Sequence, residues 1–186
     1  VEKHFWPKHH KLYERASVAT LWWQQNMIVG YTKKRGRMGP INFDIAQIRK
    51  DAEEGSCVSQ CQIGLCYLYG LNVEVNYQEA FRFLSAAAEQ GASRAILNLG
   101  RMYAQGLAIR QNLPEAIRRF EDVAWNTVDA FPARIEMGRL YARGSGIPVD
   151  KAKALYWYSL ALEVSEEEDE EEVNEARQYV AQSKQA

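Results

Sequence analysis

The chain has 186 residues, 47% of them apolar and 25% charged, with a formal net charge of −1. That length allows one compact domain or one elongated repeat domain with flanking segments, and the apolar share excludes wholesale disorder. The near-zero charge points to no class of partner, and no run of about 18 apolar residues is present to predict a membrane-spanning helix.

Residues 1–40 form a distinct N-terminal arm. They hold eight Lys or Arg against two Glu, together with His4, His9 and His10. Phe5, Trp6, Tyr13, Trp22, Trp23 and Tyr31 lie among them, and a helix is predicted over 12–31. Three contacts fit this composition. Trp22 or Trp23 could cap the end of the following segment, or insert into a protein partner as interface anchors. Trp with the following KKRGR also suits an anionic membrane surface. The uncharged stretch 16–31 contains Gln24, Gln25 and Asn26, which favours protein contact over lipid. Nucleic acid is the weakest partner reading, because no recognised binding module is present. The chain begins at Val1 rather than Met, so a removed targeting segment, a larger preceding region or added sequence is expected upstream.

From residue 41 a repeating pattern begins. "FDIAQIRKDAEEG" reads as the second helix of a degenerate first copy, over 41–55, with Ile45, Ile48, Ala52 and Gly55 in register with Phe81, Leu84, Ala88 and Gly91. Three fuller copies follow, at about 56–91, 92–128 and 129–162. "GLCYLYG", "GRMYAQG" and "GRLYARG" start at Gly64, Gly100 and Gly138, spaced 36 and 38 residues apart. Tyr67, Tyr103 and Tyr141 hold the same offset, as do Gly70, Gly106 and Gly144, and then Ala80, Ala116 and Ala154. Each copy reads as helix A, closed by its second glycine in the left-handed conformation, then a loop and helix B. Pro114 falls in the first turn of its helix B, with Asn112 as cap. Ala80, Leu84, Ala87 and Ala88 form a small-residue stripe that admits a close neighbour. The two extra residues of the third copy are expected in an enlarged turn near Trp125–Pro132. Beyond it, residues 163–175 carry nine acidic residues and no basic one, and "EEVNEARQYVAQS" reads as a capping helix with Val173, Ala176 and Val180 on one face.

The pattern "AILNLGRMYAQGLAIRQNLPEAIRRF" resembles a Sel1-like repeat, a longer relative of the tetratricopeptide repeat, and the resemblance covers about residues 56–162. It implies an all-α fold, a right-handed α-α solenoid of helix pairs, and a function as an adaptor for multiprotein and membrane-associated complexes. Two departures stand out. The second helix B ends "DVAWN" without the usual glycine, and no helix B contains Cys, so the disulfide-stapled, secreted subtype is not supported.

The columns that change are the candidate binding positions. Gln62, Leu65 and Tyr69 are spaced i, i+3, i+7 and so share one face of helix A. Their counterparts are Asn98, Arg101 and Gln105, then Glu136, Arg139 and Arg143. In stacked pairs helix A lines the concave side, so these nine positions are expected to form a continuous strip facing a protein partner. Its last copy is net basic and would suit a partner carrying carboxylates.

Nothing in the sequence points to catalysis, a cofactor or a metal. The histidines precede the repeats, and no nucleophile, acid and base are brought together by a motif. Cys57 and Cys61 are at i, i+4 but lack a second Cys pair, and a packing role suits Cys61 and Cys66 better. No phosphate-binding glycine loop occurs. Three clustered cysteines make a poor disulfide framework and favour a reducing intracellular compartment, with a mitochondrial or plastid matrix as compatible as the cytosol. The reading is therefore a non-catalytic adaptor or assembly subunit of a larger, membrane-associated or soluble complex. The alternative is a peripheral membrane-surface regulator held by residues 1–40.

Overall fold

The computed structural model describes residues 44–125, 128–144, 146–163 and 170–183; the arm and its expected helix at 12–31 lie outside them. Among the described residues there are eight helices and no strand: α1 (Ile45–Glu53), α2 (Cys57–Tyr69), α3 (Tyr77–Glu89), α4 (Ser93–Gln105), α5 (Leu113–Ala124), α6 (Ala130–Arg143), α7 (Lys151–Leu162) and α8 (Glu170–Ser183). Packing is dominated by sequential neighbours, α1 on α2, α2 on α3 and so on to α8, as in a solenoid. The α2–α3, α4–α5 and α6–α7 pairs are the three expected A–B units.

The conserved columns have direct structural causes. A Cβ added to Gly100 would lie 2.6 Å from Phe120 Cε1, and one on Gly64 or Gly138 would lie 2.8 Å from Leu84 Cγ or Tyr158 Cε1. Each glycine therefore lets a large helix-B side chain rest on the helix-A backbone. Ala80, Ala116 and Ala154, one helical turn before those side chains on the same face of helix B, are fully buried. The side chains of Asn76, Asn112 and Asp150 cap helix B by accepting from the N–H of Glu79, Glu115 and Lys153. The backbone N–H of each cap donates to the carbonyl of the frame tyrosine, Asn76 to Tyr67, Asn112 to Tyr103 and Asp150 to Tyr141, at 2.9–3.0 Å. The loop between A and B is thus closed the same way three times.

That loop contains a second left-handed position. Two residues after Gly70, Gly106 and Gly144 come Asn72 (φ 57°), Ala108 (φ 64°) and Gly146 (φ 98°). Asn and Gly tolerate this conformation; alanine does not. Ala108→Gly is expected to raise stability by about 0.5–1 kcal/mol, the relief of Cβ strain less the added unfolded-state freedom of glycine. Urea unfolding should show a higher midpoint at unchanged m; an unchanged or lower midpoint would show that position 108 carries no strain.

The second-to-third copy junction is built differently. Helix α5 ends at Ala124 with Trp125 in an extended conformation, and α6 already contains Pro132 in its first turn, where a missing N–H removes no helix bond. Helix α6 thus begins at Ala130, so the expected enlarged turn does not reach Pro132. In place of a closing glycine, the largely buried Arg134 reaches two helix ends. Its Nε donates to the Ala124 carbonyl at 3.0 Å and its Nη1 to the Leu160 carbonyl at 2.8 Å. Asp129 is only 2% exposed. Its carboxylate accepts from Ser93 Oγ at 2.6 Å and Arg94 Nε at 2.8 Å, tying the turn to the start of α4.

At the far end α8 lays Val173 and Ala176 against Phe131, Ile135, Tyr158 and Ala161, with Tyr179 and Val180 packed at the margin. At the near end Ala52, with Ile45 and Ile48, packs against Ile63, Cys66 and Phe83. Within the segment read as a degenerate second helix lies α1, followed by Gly55 at φ 98°.

Candidate functional site

Helices α2, α4 and α6 carry the nine strip positions, and hydrogen bonds link them across successive copies. Tyr69 Oη donates to Asn98 Oδ1 at 2.7 Å, and Asn98 Nδ2 donates to the Arg94 carbonyl at 2.8 Å. Arg101 Nε donates to Glu136 Oε1 at 2.9 Å. Arg139 then bonds Glu175 through Nε and Nη2, the latter at 2.6 Å, and Glu172 through Nη1 at 3.1 Å. The result is a ladder running from α2 to α8.

Two expectations are corrected by this geometry. Leu65 and Asn98 are 3% and 2% exposed, so they support the strip from beneath and present no side chain on it. Leu65 is apolar where its counterparts are Arg101 and Arg139, and it packs into the core; Asn98 is enclosed because it is bonded on both sides. The strip's third copy was also expected to be net basic. Glu172 and Glu175 of α8 reach Arg139, as does Glu136 at 3.6 Å, so the chain supplies its own carboxylates there. Gln105 and Arg143 are exposed, while Gln62, Tyr69, Arg101, Glu136 and Arg139 are half-buried. Trp22 and Trp23 lie outside the described residues.

The electrostatics of the α8 end follow from enclosure. Burial disfavours the charged form of Arg139, but the carboxylates of Glu136, Glu175 and Glu172 outweigh it and raise its pKa. Burial pushes Glu172 above the ordinary carboxylate range. It pushes Glu175 the same way, yet the Arg139 contact and the Tyr158 hydroxyl, donating at 2.9 Å, hold Glu175 below that range. Burial also raises Tyr158, and the negative charge of Glu175 adds to it.

Elsewhere the chemistry is sparse. Cys57, Cys61 and Cys66 are free thiols. Burial pushes the Cys61 thiol up to about 11 and raises Cys66, so both are protonated at neutral pH and poor nucleophiles. Among the described residues no three His, Cys, Asp or Glu are grouped to hold a metal ion, and no helix is long and apolar enough to cross a membrane. The histidines lie outside the described residues.

The residues that sequence reasoning missed are Arg94, Asp129, Arg134, Glu172 and Glu175. A usable signal was present: Arg94 and Asp129, Arg101 and Glu136, and Arg139 and Glu175 are opposite charges 35, 35 and 36 residues apart. Each separation is within three residues of one repeat length, the distance at which neighbouring copies bring similar helix faces together.

The repeat geometry is matched by a family model for the Sel1 repeat over residues 57–91, 93–118 and 132–163, half of the chain. The chain belongs to the Sel1 repeat family. The first and third matched units coincide with their A–B pairs, the second stops within α5, and the unmatched stretch after residue 118 holds the irregular junction of Trp125 and Asp129. The Sel1 solenoid is shared with solved structures. A Sel1 repeat protein from Oxalobacter formigenes is 29% identical with a TM-score of 0.56, covering 64% of this chain and 47% of that one. A protective antigen of uropathogenic Escherichia coli with an SLR fold is 30% identical with a TM-score of 0.57, covering 66% of this chain and 26% of that one. The chain thus spans less than half the length of either. No curated protein matches it. Sel1 repeat proteins generally mediate protein–protein interaction.

Proposed function

We propose that this protein is a non-catalytic adaptor or assembly subunit whose α2–α4–α6 face, with the N-terminal arm as a second contact, holds protein partners together in a larger complex. The observation that carries this reading is the ladder. Tyr69, Arg101, Glu136 and Arg139 are held in single geometries by bonds between successive copies. Their polar edges therefore meet a partner with little rotamer entropy left to lose. Gln105 and Arg143, at equivalent positions of α4 and α6, stand exposed beside them and supply the variable part of the surface. The partner class is a protein segment with mixed polar groups, because the positive charges of the face are largely matched by neighbouring carboxylates.

Site-specific photocrosslinking in the native cell tests the face without reversing any ladder charge. A photoreactive residue at Gln105 or Arg143 is expected to trap the same partner, while one at Arg82 or Glu121, exposed on helices α3 and α5, should trap none. Crosslinks arising only from α3 and α5 would place the interaction on the other side of the solenoid and overturn the assignment.

A further inference from the structure

The attachment of α8 differs from that of every other helix packed in the same way. Helix α4 buries Ala95, Leu97, Leu99 and Met102 in the core, and α6 buries Phe131, Ala133, Ile135 and Met137 among others. Among its described residues, helix α8 buries only Val173 and Ala176. What it lacks in apolar contact it makes up with charge, through Glu172 and Glu175 on Arg139 and the Tyr158 hydroxyl on Glu175. An element held by little apolar area and by partly buried ion pairs opens at lower free energy than the core around it.

Removing α8 would uncover a specific surface: the apolar patch of Phe131, Ile135 and Tyr158, with the guanidinium of Arg139 beside it. Neither half can be left to water and filled by an arbitrary helix. The patch suits apolar side chains, and Arg139, left with Glu136 alone at 3.6 Å, suits two further carboxylates about one helical turn apart. The sequence of α8 states the requirement: Glu172-Val173, Glu175-Ala176 and Tyr179-Val180 place acid and apolar residues on adjoining stripes of one helix.

We propose that α8 is a displaceable latch over the α6–α7 end of the interaction face, and that an acidic amphipathic helix of a protein partner takes its place. The chain's own helix is then a competitor that sets the affinity of that end, a regulation resting on the A-face reading above. Arg139 is the shared contact. Helix α8 reaches it intramolecularly at high effective concentration, so a partner helix binds well only when α8 is loosened.

Two measurements on the full chain test this. Hydrogen exchange at about 0.05 M and about 0.5 M salt should show residues 170–183 exchanging about tenfold faster at the higher salt, with residues 93–124 unchanged. A fluorescent peptide with the sequence of residues 170–183 should bind the Glu172→Gln/Glu175→Gln variant about tenfold more tightly than the unaltered chain, because the internal competitor is weakened. Equal protection of α8 and α4 at both salts, or equal peptide affinity for the two proteins, would overturn the latch. Loss of protection over 93–124 in the variant would overturn it too, since release must leave the rest of the solenoid intact. Neither readout involves the native partner, so failed crosslinking at Gln105 and Arg143 would sink the interaction face while leaving the α8 result standing.

Discussion

Replacing Asp129 with alanine is expected to destabilise the protein by about 3 kcal/mol, at the low end for breaking a buried ion pair from one side. The carboxylate accepts from Ser93 and Arg94, and Asp129 is almost fully enclosed. Without it the Arg94 guanidinium, itself only 24% exposed, has no carboxylate within the junction. The low end is appropriate because that exposure lets water recover part of the loss. Urea denaturation followed by far-UV circular dichroism reads the effect. Glu79→Ala serves as comparison, since its pair with Arg82 is exposed and adjacent in sequence and its loss should change stability by about 0.5 kcal/mol or less. Equal effects of the two substitutions would show that the junction ion pair does not hold the copies together.

Arg134→Leu should cost about 2–4 kcal/mol, by a different route. This guanidinium makes its hydrogen bonds to main-chain carbonyls, those of Ala124 and Leu160, near the C-terminal ends of α5 and α7. Helix C-termini carry partial negative charge, so two of them stabilise one buried cation. Leucine fills the space but leaves both carbonyls without this donor, at about 1–3 kcal/mol for each that stays dry. Arg134→Lys should lie between, because one ammonium cannot span both carbonyls in the fork geometry of arginine. A lysine variant as stable as the parent would show that only one of the two bonds matters. The Trp125 ring stands 6.0 Å from the guanidinium, so its fluorescence offers a local readout of the same change.

The fold was legible because its signals are local and recur. Gly64, Tyr67 and Gly70 each answer to one short-range demand: close approach to helix B, a core edge, and a left-handed cap. Repetition in Gly100, Tyr103 and Gly106 separates those demands from chance. The second left-handed position at Asn72, Ala108 and Gly146 was harder to see, because three different residues occupy it. The interaction face was legible only in outline. Helical periodicity placed Gln62, Leu65 and Tyr69 on one side, but a face has a top and an edge, and periodicity does not say how far a neighbouring copy overlaps it. Leu65 and Asn98 fell under that overlap. The charge of the third copy was misjudged for a related reason: Glu172 and Glu175 were read within the capping helix only through its apolar face, and it is the packing of α8 that brings them to Arg139. The junction of Arg134 and Asp129 was marked in the sequence by a missing glycine and two extra residues, but neither mark says which side chains close it.

The cross-copy ties also set how the protein would yield to force. Each joins residues 29 to 36 apart and bridges adjacent copies only, from Tyr69 to Asn98, Arg94 to Asp129, Arg101 to Glu136 and Arg139 to Glu175. Stretched between its ends, such a solenoid loads these ties in series, each spanning only neighbouring helix pairs. It would peel one helix pair at a time and lengthen in steps, so a complex assembled on it would be joined by a compliant spring that yields first at its terminal helices.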